Sequence, residues 1–162
     1  MTLVLFALVR VVPRVAARIG DLPLLIGGLL VAVTGMAWLS QISESTAFLP
    51  GIGVPLVFMG IGMGAAFTPL TTAGIHAVSN EDAGAASGLV NVAHQVGGAI
   101  GIAVLVNVFA AAGGNDGSPA EFAHGLSTAL TGSVVCLLLA LTVVLGVMWR
   151  PAWAALRSPV AN

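Results

Sequence analysis

The chain has 162 residues, 58% of them hydrophobic and only 7% charged, with a formal net charge of −1 and a mean hydropathy of +1.08. A soluble domain carries about 25% charged residues, so this composition cannot cover a water-facing surface and excludes a water-soluble globule. The near-neutral balance gives no basic footprint for nucleic acid, and the lone Cys136 leaves neither a disulfide framework nor a thiolate metal site.

In chain order, residues 1–9 are apolar but too few to cross a bilayer. No positive segment precedes them and no small-residue cleavage site follows, so they read as the last turns of a truncated helix rather than a signal peptide. Arg10, Arg14 and Arg18 then mark a loop, and residues 1–21 are expected to be that helix end plus an Arg-rich cytoplasmic segment. Four uncharged runs follow at 22–43, 47–75, 83–115 (counting His94 as neutral) and 125–149. Each exceeds the roughly 20 residues of a spanning helix. The runs predict helices over 22–41, 50–77, 80–112 and 122–149, a four-helix transmembrane region over 22–150 and a cytoplasmic tail over 151–162. The expected class is all-α, a polytopic membrane protein in a lipid bilayer.

Arginine placement orients it. There is no lysine, and all five basic residues lie before the first full span or after the last (Arg150 and Arg157). Four crossings put these two segments on one side, which the positive-inside rule makes cytoplasmic. The loops 44–50 and 113–124 then face outward, and neither holds a lysine or arginine. A cell (inner) membrane location with both terminal segments inside is the expectation.

Spans one and four are rich in Leu and Val on most sides, as lipid-facing helices are. Spans two and three are rich in small residues and read as interior, in close contact with each other. In span two Gly53, Gly60, Gly64, Thr68 and Thr71 share a helical face, with Gly60 and Gly64 as a small-xxx-small seam. Pro69 removes a backbone bond within this span, and neighbouring threonine hydroxyls, such as those of Thr68, Thr71 and Thr72, are a common remedy. Pro69 reads as a static kink or as a hinge near the cytoplasmic end; both stay open.

Span three begins with Ser79-Asn80-Glu81-Asp82, a capping-box pattern with Ser79 as the N-cap and two carboxylates at the positive helix end. Glu81 and Asp82 serve either as cap and solvation or as one half of a cytoplasmic gate. Beyond them Gly84, Ser87, Gly88, Asn91, His94, Gln95, Gly98 and Gly101 fall within an arc of about 140° at ~100° per residue. Leu89, Val92, Val96, Ile100 and Val104 hold the far side. Such a polar, glycine-lined face packs on protein or lines a wet path. His94 lies about 21 Å along a helix begun at Asn80, near the bilayer midplane. It suits proton handling or a plain hydrogen bond from a neutral ring.

The run from Gly60 through Pro69-Leu70-Thr71-Thr72, then Glu81-Asp82-Ala83-Gly84, Ala86-Ser87-Gly88-Leu89-Val90-Asn91 and Gln95-Val96-Gly97-Gly98, resembles the C-terminal part of major facilitator superfamily transporters. The resemblance is nearest to the fourteen-span drug:proton antiporters of the EmrB/QacA type. It extends to Arg18, Gly20 and Pro23 in the first loop, departing at Leu22, where a basic residue often stands. Many members also carry Arg where this chain has His94, so no charge role is carried over to that position.

The resemblance implies the last four of fourteen spans plus a remnant of the tenth, forming part of the C-terminal bundle of a major facilitator fold. Span two would line the central cavity, and span three would pack between the two halves. The implied function is part of a secondary active transporter, exporting small molecules or drugs against protons together with a missing N-terminal half. Candidate path residues are Thr68, Thr71, Thr72, Asn91, His94 and Gln95. Packing or hinge candidates are Gly60, Gly64, Pro69, Gly84, Gly88 and Gly98; Ser79, Glu81 and Asp82 are cap or gate candidates. A self-contained four-span dimeric exporter and a non-transporting interaction module are the alternatives. No nucleophile–base pair, metal-ligand cluster or phosphate loop is legible, so neither an enzyme nor a cofactor is expected.

Overall fold

The computed structural model describes residues 17–75, 78–79, 81–115 and 117–157, with side chains described over the same residues except 73–75 and 148–157. It is all-helical as expected. The elements are α1 (Asp21–Leu39), a wide turn at Phe48–Ile52, α2 (Gly53–Ile75), α3 (Ala83–Ala111) and α4 (Pro119–Arg157). Among the described residues four helices are long and apolar enough to cross a membrane. The expected starts at residue 80 for α3 and ends at 77 for α2 lie outside the described residues, and α4 runs past the expected 149 into the tail.

Local chemistry sets the ends. Gly20, with φ of 86°, adopts the left-handed backbone that lets the chain enter α1. Asp21 then sits in the first turn, where a carboxylate complements the positive helix end. At the far end of α1 the amide of Ser40 donates to Met36 O (2.8 Å), and the Ser40 hydroxyl to Ala37 O (2.9 Å). These bonds occupy carbonyls that the helix leaves without partners.

Neighbouring helices alternate in direction around a ring. α1 packs along α2 and α4, while α3 lies against α4 and more lightly against α2. The tightest seam is α1 on α2. A Cβ added at Gly28 would lie 2.8 Å from Gly62 O and 2.9 Å from Ala66 N, and one at Gly35 2.9 Å from Pro55 O. A Cβ at Gly62 would strike the backbone of Ala32. Where lipid removes the hydrophobic drive, such backbone approach is the source of packing energy. Trp38 and Phe58 add an edge-to-face ring pair near the loop end. Leu25, Leu29, Ala66 and Leu141 close the core that joins α1, α2 and α4, with Ile26, Val144 and Leu145 packed against it.

This arrangement corrects the sequence-based division of the spans. α1, expected at the periphery, holds more buried positions than any other helix among the described residues, while none of the residues of α3 is buried. The reason is that Gly28, Ala32 and Gly35 form a narrow stripe within an otherwise Leu-rich helix, and one stripe suffices for close approach. In α2 the buried side is Pro55, Gly62, Ala65, Ala66 and Pro69. It lies about 160° around the helix from the Gly60–Gly64–Thr68 face at ~100° per residue. The expected close contact of spans two and three is therefore replaced by a close contact of spans one and two.

Candidate functional site

Two open faces gather the candidate residues. On α2, nothing lies within 4 Å of a Cβ added at Gly60, Gly64 is half-buried, and Thr68 is exposed. One turn on, the Thr71 hydroxyl donates to Phe67 O (2.9 Å) and that of Thr72 to Thr68 O (3.0 Å). These are bonds back to the residue four earlier, and they do not reach Ala65 O, the carbonyl that Pro69 deprives of its N–H. Each hydroxyl oxygen keeps lone pairs for a further donor. Pro69 itself is fully buried.

On α3, Asn91, His94 and Gln95 are all exposed. Gly84, Gly88 and Gly98 have nothing within 4 Å of an added Cβ. Among the half-buried positions of α3, Ala83, Ala86, Val90, Gly101, Leu105 and Val108 form the stripe turned to the rest of the chain. Asn91 and Gln95 stand about 80–120° around the helix from it. His94 lies near that stripe and meets Phe67 of α2 edge-to-face, with ring centroids 5.6 Å apart and planes at 79°. The structure thus brings His94 to α2 while Asn91 and Gln95 stay on the open side.

The gate or cap candidates meet in a turn ahead of α3. The Ser79 hydroxyl donates to Asp82 Oδ2 (2.9 Å), and the Asp82 amide lies 3.3 Å from Ser79 Oγ and 3.0 Å from Ser79 O. Asp82, rather than the expected Ser79, is the residue that immediately precedes the helix. The reciprocal bonds close a turn just before Ala83 instead of the first turn of the helix. Glu81 is exposed.

Sequence reasoning missed the capping box of α4. Ser118 Oγ accepts from the Glu121 amide (3.2 Å) and donates to the Glu121 carboxylate, which also accepts from the Ser118 amide (3.2 Å). The signal was present in Ser118-Pro119-Ala120-Glu121, with proline at the first helical position. A cleft of about 510 Å³ beside it, lined by Ile42, Glu44, Thr46, Ile52 and Phe122 among others, separates the two loops at that end.

Residues 1–102 match the family model of the Major Facilitator Superfamily. The chain belongs to that superfamily. The matched region contains every candidate residue of α2 and α3 named above. Similar proteins include the cephamycin export protein of Amycolatopsis lactamdurans, 40% identical over 129 residues, covering 80% of this chain and 26% of that protein. The puromycin resistance protein of Streptomyces alboniger is 34% identical over 126 residues, covering 75% of this chain and 23% of its own length. The lincomycin resistance protein of Streptomyces lincolnensis is 39% identical over 103 residues, with 59% and 21% covered. The chain spans about a quarter of the length of these relatives. It is a multi-pass membrane segment of a superfamily transporter fold.

Proposed function

We propose that this chain is part of a secondary active exporter of small molecules, working by alternating access with proton coupling in the cell membrane. The observation that carries the reading is the pair of open faces: Gly60, Gly64 and Thr68 on α2, and Gly84, Gly88, Asn91, Gln95 and Gly98 on α3. Asn and Gln exposed to hydrocarbon are expensive, and polar groups in spanning helices face a bundle interior or a water-filled path. Alternating access requires a second bundle against which this one rocks, around a site near the midplane. In this reading Asn91, His94 and Gln95 meet the N-terminal half, and Thr68, Thr71 and Thr72 line the path. The fourteen-span arrangement rests on the resemblance, and the cytoplasmic side of both terminal segments on the arginine placement. The named relatives point to antibiotic-like substrates, of which puromycin, lincomycin and cephamycins are the first to assay.

The test is efflux measured in two preparations. Vesicles holding only these 162 residues should contain inserted protein and show no efflux, because no second bundle is present. Vesicles holding the product of the whole reading frame around this segment should export at least one of these antibiotics when a proton gradient is applied. Proton-coupled efflux by the 162 residues alone would overturn the reading and favour a four-span dimeric exporter.

A further inference from the structure

We propose that the cleft between the α1–α2 loop and the α3–α4 loop is a binding site for small hydrophobic cations, recognised by the Glu44 carboxylate and the Phe122 ring. The inference goes beyond the transport reading and does not depend on it.

The cleft, of about 510 Å³, has walls from two separate parts of the chain: Ile42, Glu44 and Ile52 on one side, Ser118, Phe122 and Leu126 on the other. Cavities of roughly 300–1,000 Å³ take small molecules and are mostly formed before the ligand arrives. Both walls are fixed here. The Ser43 amide donates to Thr46 Oγ1 (2.8 Å) and the Thr46 amide to Ser43 O (3.0 Å), closing the first loop on itself. Across the cleft, a Cβ added at Gly125 would lie 2.6 Å from Gly114 Cα, so the second loop is seated directly on α4. The Ser127 hydroxyl donates to Ser40 O (2.5 Å) and ties the two walls together.

The lining selects a cation. Among the described lining residues Glu44 is the one that carries a charge. Neither loop holds a lysine or arginine, since all five arginines precede α1 or follow residue 149. His124 is exposed and does not line the cleft. The start of α4 offers little to an anion: Pro119 has no N–H, and the amides of Glu121 and Phe122 donate to Ser118 Oγ (3.2 Å) and Ser118 O (3.0 Å). Phe122 is 54% exposed. Its edge-to-face partner Phe109, at 5.4 Å and 75°, covers at most one face of the ring, and the other is free to meet a cation. Ile42, Ile52 and Leu126, each half-buried, supply apolar surface beside the carboxylate. An ammonium group on an aromatic or branched apolar body meets all three features.

The experiment titrates benzyltrimethylammonium into the chain in lipid nanodiscs and follows the broadening of its trimethyl resonance by NMR, with empty nanodiscs subtracted. Saturable binding in the millimolar range is expected, as suits a ligand of few atoms. Glu44→Gln should weaken it roughly two- to fivefold, the range of an exposed ion pair. Asp21→Asn, which removes the same charge at the far end of α1, should leave it unchanged. Ile52→Trp should abolish it by filling the cleft, and benzenesulfonate, an aromatic anion, should not bind. Absence of saturable binding, equal binding of benzenesulfonate, an unchanged dissociation constant in Glu44→Gln, or the same weakening in Asp21→Asn would overturn the inference. Glu44 is exposed and in a loop, so its substitution decides the matter even where Ile52→Trp fails to fold.

Discussion

Gly28 of α1 and Gly62 of α2 face each other so closely that a Cβ on either would enter the other's backbone: Gly28's would lie 2.8 Å from Gly62 O and Gly62's 2.6 Å from Gly28 O. Two helices that approach this closely form the rigid part of the unit. The faces that carry the candidate path residues lie elsewhere on α2 and on α3. Rigidity and polarity are therefore separated around α2, with one side given to α1 and the other left for whatever the transporter places there.

The first prediction sets these two sides of α2 against each other. Gly62→Leu should sharply lower the membrane yield and thermal stability of the chain, because the obstructing atoms are helix backbone that cannot rotate away. Gly60→Leu, two residues earlier with nothing within 4 Å, should fold like the unsubstituted chain. Thermal scans of both variants in detergent check it. Equal loss of stability from the two would mean that α1 and α2 do not pack as described.

The helices themselves were legible because uncharged run length is a strong signal in a bilayer, and each run from residue 22 onward holds one long helix. The partners were not. Gly28 and Gly35 are seven residues apart in a helix otherwise full of leucine, and composition alone weighs the leucines more. Gly60 and Gly64 give a stronger local pattern, yet a small-xxx-small pair shows only that a backbone can come close, not which backbone. The polar face of α3 was legible as a face, since helical periodicity fixes it from sequence. That it lies beside the stripe turned to α4, and so stays open, depends on tertiary packing that periodicity does not contain.

The second prediction concerns the start of α4. Ser118→Ala removes both the acceptor for the Glu121 amide and the donor to its carboxylate, and loss of such a cap costs about 1 kcal/mol. Amide hydrogen exchange in residues 120–122 should speed up roughly fivefold, the equivalent of about 1 kcal/mol when RT is ~0.6 kcal/mol, while Ser118→Thr should restore protection. Unchanged exchange in Ser118→Ala would show that the first turn is held by something other than this box.

The third prediction addresses His94. Edge-to-face ring pairs contribute about 0.5–1.5 kcal/mol, and polar contacts between membrane helices average only about 0.6 kcal/mol. His94→Ala should therefore leave the membrane yield of the complete transporter nearly unchanged while lowering its efflux. His94→Phe should keep the ring contact with Phe67 and still lower efflux if the imidazole nitrogens serve transport. Normal efflux in His94→Ala would reduce this residue to a ring packed on Phe67.

The last prediction concerns Gly98, where folding of the chain and action of the transporter should separate. Nothing in the chain lies within 4 Å of a Cβ at this position, so Gly98→Leu should match the unsubstituted chain in yield and thermal stability when the 162 residues are produced alone. In the complete transporter the same face is proposed to meet the opposing half, where a branched side chain would hold apart helices that need close approach. Efflux should then fall well below that of Gly98→Ala, whose single methyl group intrudes far less. The pairing of the two preparations gives the prediction its force. Damage in the isolated chain would mean that the open face of α3 is used within this unit. Normal efflux in the complete transporter would mean that the face looks into lipid, and that the close approach proposed for it is wrong.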